Sequence, residues 1–151
     1  MSDDAITFEH VSKVYGQLRA LDDLSLTIRR GEMFGLIGPD GAGKTTAIRL
    51  ACGLIGPDSG VVKVLGRSPT KEHRAITAAV GYLSQRFSLY GDLTIDENIA
   101  FFAEIHGIKR YQAERDRLLE MTQLTAYRRR RADKLTGGMK QKLALACTLV
   151  H

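Results

Sequence analysis

The alternation of hydrophobic and polar positions changes period along the chain, from the two-residue repeat of strands to the three-to-four-residue repeat of helices. Ala5–Tyr15 alternates and is rich in β-formers, Leu24–Ile28 alternates strictly, and Met33–Ile37 is a short apolar run. These read as three strands, punctuated by Gly16 and by Arg30-Gly31. From Lys44 to Leu54 the spacing of Ile48, Leu50, Ala51, Cys52 and Leu54 suits a buried helix, with Gly53 near its C-terminal end. A Gly-Pro-Asp-Ser-Gly turn precedes a strand at Val61–Leu65, and Ala79–Leu83 reads as one more short strand.

Past Gln85 the helical period takes over. Thr94 with Glu97 three residues on forms a capping box, and Asp96 and Glu97 suit the positive helix end. The helix predicted there runs from Ile95 to His106 and stops at Gly107. A second, Tyr111 to about Leu124, carries Leu118, Met121 and Leu124 at helical spacing, and a third follows Gly137-Gly138. The pattern predicts an α/β chain divided near residue 85, β-rich before and helical after.

Composition narrows the class. The 151 residues are 44% hydrophobic and 26% charged with three prolines, which fits one soluble globular domain. The longest apolar or near-apolar stretch, Leu143–Val150, is far short of the roughly 20 residues that span a bilayer. The opening Met-Ser-Asp-Asp is no secretory leader, so a cytoplasmic location is expected. Cys52 and Cys147 read as small buried residues of a reducing compartment, and His10, His73, His106 and His151 show no ligand spacing. The net charge of +5 owes much to Arg128–Arg131. Such a run reads first as a solvated face, then as a contact for nucleic acid or an anionic membrane. Without interleaved aromatics or a nucleic-acid motif, no nucleic-acid partner is expected.

The chemistry lies in one string. Gly38-Pro39-Asp40-Gly41-Ala42-Gly43-Lys44-Thr45 matches G-x-x-x-x-G-K-[ST] in full, between a predicted strand and a predicted helix. Glycines let the backbone wrap a polyphosphate with its N–H groups inward, and the helix beginning near Lys44 adds its positive end. Lys44 is placed to reach the β- and γ-phosphates, the Thr45 hydroxyl to ligate Mg²⁺, and Thr46 to meet the α-phosphate.

Three further features follow the order found in one family. Val14-Tyr15-Gly16 with Ala20-Leu21-Asp22-Asp23-Leu24-Ser25-Leu26, then Gly81-Tyr82-Leu83-Ser84-Gln85, then Leu135-Thr136-Gly137-Gly138-Met139-Lys140-Gln141-Lys142 resemble the aromatic loop, Q-loop and signature of ABC-transporter ATP-binding domains. Residues 87–94 with Glu97-Asn98 resemble the bacterial ABC-2 and multidrug-export subclass. The resemblance implies a P-loop NTPase fold: an N-terminal antiparallel β portion, a parallel core sheet incomplete here, and a helical signature subdomain. It implies ATP and Mg²⁺ as ligands, with Tyr15 stacking on adenine and Gln85 completing the Mg²⁺ shell. It implies a head-to-tail pair, Thr136, Gly137, Gly138, Met139, Lys140 and Gln141 of one domain closing on ATP held by the other. It also implies a transmembrane permease docking near Phe87–Asp92, and a site on the inner face of the membrane.

Departures accompany the likeness. Asp40 stands where the family often has Asn or Ser, and is expected to point away from phosphate; Thr136 replaces the usual serine. The family continues past its signature helix with an apolar strand ending in Asp-Glu, and this sequence reads as truncated before it. ATP binding without family-like hydrolysis is therefore expected of residues 1–151 alone. Two other readings stay open: a soluble ABC ATPase acting on ribosomes or DNA, and a non-catalytic nucleotide-binding module.

Overall fold

The computed structural model describes residues 3–84 and 89–150. Gln85, Phe87, Ser88 and His151, named above, lie outside them. The chain forms two compact units, Met1–Val80 and Gly81–His151.

In the first unit β1 (Asp4–Tyr15), β2 (Leu18–Arg29) and β3 (Ser59–Val64) form an antiparallel sheet of order β2-β1-β3. A regular strand sends residues three apart to opposite faces, yet Phe8 and Val11 both lie in the core. An irregularity in β1 reconciles the two. The register shifts between Phe8 and Val11, His10 and, across from it, Asp23 take φ near +50°, and their released N–H groups donate to the hydroxyls of Ser25 and Ser12. Helix α1 (Lys44–Ala51) lays Ala47 and Leu50 on Phe8, Val11, Leu21 and Val62. It ends in a Schellman motif: the N–H of Gly53 (φ +67) reaches the Leu50 carbonyl, and that of Leu54 reaches Arg49. A β-carbon on Gly53 would fall 2.5 Å from the Pro69 carbonyl oxygen, so both conformation and space demand glycine. A short helix, α2 (His73–Thr77), completes the unit.

The second unit is helical: α3 (Ile95–Ile105), α4 (Gln112–Met121) and α5 (Gly137–Leu149), with 3-10 turns at Thr125–Tyr127 and Ala132–Lys134. Ile95, Ile99 and Ala103, four apart on α3, meet Leu118, Leu119, Leu124, Leu143, Ala146 and Cys147 in one core. Burial pushes the Cys147 thiol up to about 12, which leaves it a packing residue. The predicted capping box is present in both halves, Thr94 Oγ1 accepting from the Glu97 N–H (3.2 Å) and Glu97 Oε2 from the Thr94 N–H (2.8 Å).

Several expectations need correction. Met33–Ile37 and Ala79–Leu83 are not strands: a strand is defined by pairing, and neither run has a ladder partner among the described residues. Met33 and Ile37 are 100% and 95% exposed. Ala79 and Val80 are instead drawn into the turn that closes α2, both N–H groups donating to the Ile76 carbonyl. The expected antiparallel β portion is present, and every strand pair among the described residues belongs to it. Helix α1 stops at Ala51 rather than Leu54, and Ile48 and Leu54 are exposed because only one face of it meets the sheet. Met121 is likewise exposed, and Leu119 takes the buried place assigned to it. Arg128 is no simple solvated charge, as its ion pairs below show.

Candidate functional site

The glycine string forms an exposed turn that runs directly into α1. Gly43 is its tightest point. It serves as N-cap at φ +84, and a β-carbon there would sit 2.2 Å from the Ala20 carbonyl oxygen and 2.8 Å from Leu21 Cδ2. Only glycine lets the loop press against β2. Having no side chain to cap the helix, Gly43 leaves the N–H groups of Lys44, Thr45 and Thr46 without an acceptor among the described residues; the first α1 bond runs from Ala47 to Gly43. No acidic residue occupies that first turn. The positive end of α1 therefore meets solvent uncompensated.

Lys44 folds back over the loop and donates from Nζ to the carbonyls of Gly38 and Pro39, both at 2.7 Å. Two of the three ammonium hydrogens are thus engaged and one is free for an anion. The Thr45 hydroxyl is on an exposed residue, Thr46 and Gly43 are half-buried, and Asp40, Gly41 and Ala42 are exposed. The Ala42 N–H closes a turn on Pro39 (3.2 Å).

Tyr15 ends β1 opposite Leu18 and is 44% exposed. Since Gly43 touches Ala20, two residues along β2 from Leu18, the loop and Tyr15 share one end of the hairpin. Asp58 anchors that end, accepting from the Val14 N–H (2.7 Å) and from Lys13 Nζ (2.8 Å), whose ammonium also lies 5.7 Å from the Tyr15 ring centre. Those bonds hold its carboxyl below the usual carboxylate range. In sequence Asp58 read only as a turn residue; a carboxylate in the loop leading into an antiparallel neighbour of β1 was its one signal.

In the second unit Thr136 caps α5 through a long bond, its Oγ1 accepting from the Met139 N–H at 3.4 Å. Gly137 and Gly138 occupy the first two helical positions, and their N–H groups meet no acceptor among the described residues. A β-carbon on either would meet nothing within 4 Å, and neither has positive φ. Their backbone does not require glycine. Met139 packs on the core beneath, whereas Lys140 and Gln141 are exposed.

Helix α3 differs from both motif helices. Its N–H groups at Ile95, Asp96, Glu97 and Asn98 go to the Arg130 carbonyl, the Arg128 carbonyl, Thr94 Oγ1 and the Thr94 carbonyl. Helix α4, which carries no motif, is open like α1 and α5 but sets the acidic Glu114 in its first turn, where α1 and α5 have no acid. Tyr90 and Asp92 belong to the segment expected to meet a permease, and the Asn98 side chain, fully buried, ties it down: Oδ1 accepts from the Tyr90 N–H, and Nδ2 donates to the carbonyls of Tyr90, Leu93 and Thr94. Sequence reading took Asn98 only as part of a subclass pattern. Gln85 and Phe87 are outside the described residues, so their geometry does not enter.

Comparison with known proteins bears on the family and the fold. Residues 21–151 match the family described as ABC transporter. Among curated proteins, the chain is 45% identical to "Probable multidrug ABC transporter ATP-binding protein YbhF" of Escherichia coli, covering 99% of this chain and 27% of that protein. It is 40% identical to "Methionine import ATP-binding protein MetN" of Geobacillus kaustophilus, over 97% of this chain and 46% of that one. The chain thus spans between about a quarter and a half of these relatives. A solved structure titled "Structure of ATP binding subunit of ABC transporter" superposes with a TM-score of 0.81 at 27% identity, covering 97% of this chain and 62% of that one. With residues 21–151 matched to the family and the fold shared with a solved ATP-binding subunit, the chain belongs to the ABC transporter family, in its ATP-binding part.

Proposed function

We propose that residues 1–151 hold ATP at Gly38–Thr46 and, through Thr136–Gln141, close on ATP held by a second such domain. The observation that carries the reading is that α1 and α5 leave their leading N–H groups open with no acidic residue in the first turn, whereas α3 satisfies all of its own and α4 sets Glu114 in its first turn. Polyphosphate is the ligand such ends favour, because open N–H groups and the helix dipole both offer positive charge.

In this reading Lys44 turns its free hydrogen, and on binding its other two, toward the phosphates. Tyr15 offers its exposed face to adenine, with Asp58 anchoring the same end of its strand. The residues fit Mg²⁺ as far as the Thr45 hydroxyl goes, with the Gln85 amide as its companion; the ion would neutralise phosphate charge. Gly137 and Gly138 lack side chains so that a partner's phosphates can approach. The whole protein, of which this is the nucleotide-holding part, couples ATP binding and hydrolysis to transport through a permease that docks near residues 87–92. Transport is outward, as the likeness of residues 87–98 to the export subclass and the similarity to YbhF support. No residue of 1–151 is assigned as the general base.

Titration with a fluorescent ATP analogue tests the core of this. Lys44→Ala is expected to weaken binding ten- to a hundredfold, the range of one charge-assisted bond or two. Unchanged affinity would remove the loop from the site. Co-purification of the whole protein with ribosomes and no membrane subunit would overturn the transport role.

A further inference from the structure

The arginine run has no part in the nucleotide reading, and its four members are not equivalent. Arg128 is committed: Nε donates to Asp96 (2.8 Å) and a terminal nitrogen to Asp116 (3.2 Å). Arg131 and Lys134 share one carboxylate, Asp133, at 3.5 and 3.8 Å. Arg129 and Arg130 are exposed and pair with no carboxylate among the described residues.

The backbone beneath them is pinned. Ile95 and Asp96 donate to the carbonyls of Arg130 and Arg128, Thr94 bridges Arg131, the Ala132 N–H reaches Leu93, and the Arg130 N–H closes a turn on Tyr127 (2.7 Å). Neighbouring guanidinium groups repel, and a free loop would let them separate. Here the main-chain bonds that cap α3 keep them together at a turn. Tyr127, 44% exposed, stands at the edge of the same turn. Unpaired arginines on a fixed turn beside an exposed tyrosine match the make-up of a membrane-water interface: cationic groups meet lipid phosphates, and a tyrosine ring sits at headgroup level.

We propose that Arg129 and Arg130, flanked by Tyr127, Arg131 and Lys134, form a contact surface for the anionic headgroups of a lipid bilayer. The surface shares no residue with the nucleotide loop, so it is tested independently of ATP binding. A bilayer rather than nucleic acid is favoured because a single tyrosine at the edge of the turn offers no succession of rings for bases to stack upon.

Co-sedimentation of the chain with phosphatidylglycerol vesicles and with pure phosphatidylcholine vesicles tests it. Partitioning is expected on the anionic vesicles alone, falling as salt rises. Each arginine removed should weaken it about fivefold, and Arg129→Gln with Arg130→Gln together roughly twenty-five- to thirtyfold. The double variant should keep its helical circular dichroism and its ATP binding, since neither side chain holds the fold. Arg128→Gln is the contrasting control, expected to lower the melting temperature through loss of the Asp96 and Asp116 bonds. Equal binding to neutral vesicles, no binding to either, or an undiminished double variant would overturn the proposal. So would competition by inorganic phosphate at millimolar concentration, which would mark a free-anion site, or tighter arginine-dependent binding to single-stranded RNA than to vesicles.

Discussion

Replacing Gly137 and Gly138 by alanine separates a glycine kept for the fold from one kept for a ligand. Both residues have ordinary helical φ, and a β-carbon on either enters open space. Alanine is favoured over glycine in a helix interior by about 0.8–1 kcal/mol, because glycine loses more backbone freedom on folding. At the first two helical positions about half of that applies, so the double variant should be more stable by about 1 kcal/mol. For a chain of this size that is a rise of roughly 2–4 °C in melting temperature, read by circular dichroism at 222 nm. The same two methyl groups stand over the N–H groups proposed to receive a partner's phosphates. Losing one or two charge-assisted bonds there should weaken ATP-dependent association of the whole protein ten- to a hundredfold, while ATP binding to the monomer is unchanged. The assay pair is thermal melting and sedimentation velocity with and without ATP. A fall in melting temperature would show that the fold requires glycine there, and undiminished association would show that no ligand approaches.

Gly43→Ala should do the reverse, because its β-carbon would meet the Ala20 carbonyl at 2.2 Å and hold alanine at φ +84. A loss on the order of 3 kcal/mol in urea unfolding is expected, from the left-handed conformation and the overlap together. Asn98→Ala removes four hydrogen bonds from a fully buried site; a cost of roughly 2–4 kcal/mol and faster proteolysis at residues 89–94 would follow. Asp58 ionises more readily in the folded state than in the unfolded one, so its stabilisation is present above the usual carboxylate pKa and is lost as pH falls through its depressed folded value. The difference in urea midpoint between the native chain and Asp58→Asn should be steady from about pH 7 to 5 and shrink below about pH 4. A constant difference down to pH 2 would refute the Lys13 and Val14 account.

Local rules carried a large part of this structure from the sequence. The capping box at Thr94 and Glu97, the glycine stop after α1 and the loop-to-helix junction at Lys44 involve residues within a few positions of each other, where backbone sterics and short hydrogen bonds decide the outcome. The motif order was legible for the same reason, since each motif is a run of adjacent residues. What depends on partners distant in the chain was not legible. Met33–Ile37 and Ala79–Leu83 have the apolar character of strands, but pairing requires a neighbour that no local pattern supplies. The bulge that turns Phe8 and Val11 to one side arises from β1 meeting β2 at His10 and Asp23. Sequence determined which glycines could take a left-handed backbone. Only the tertiary structure decided that Gly43 must be glycine, through the Ala20 carbonyl behind it, and that Gly137 and Gly138 need not be, because nothing stands where their β-carbons would go.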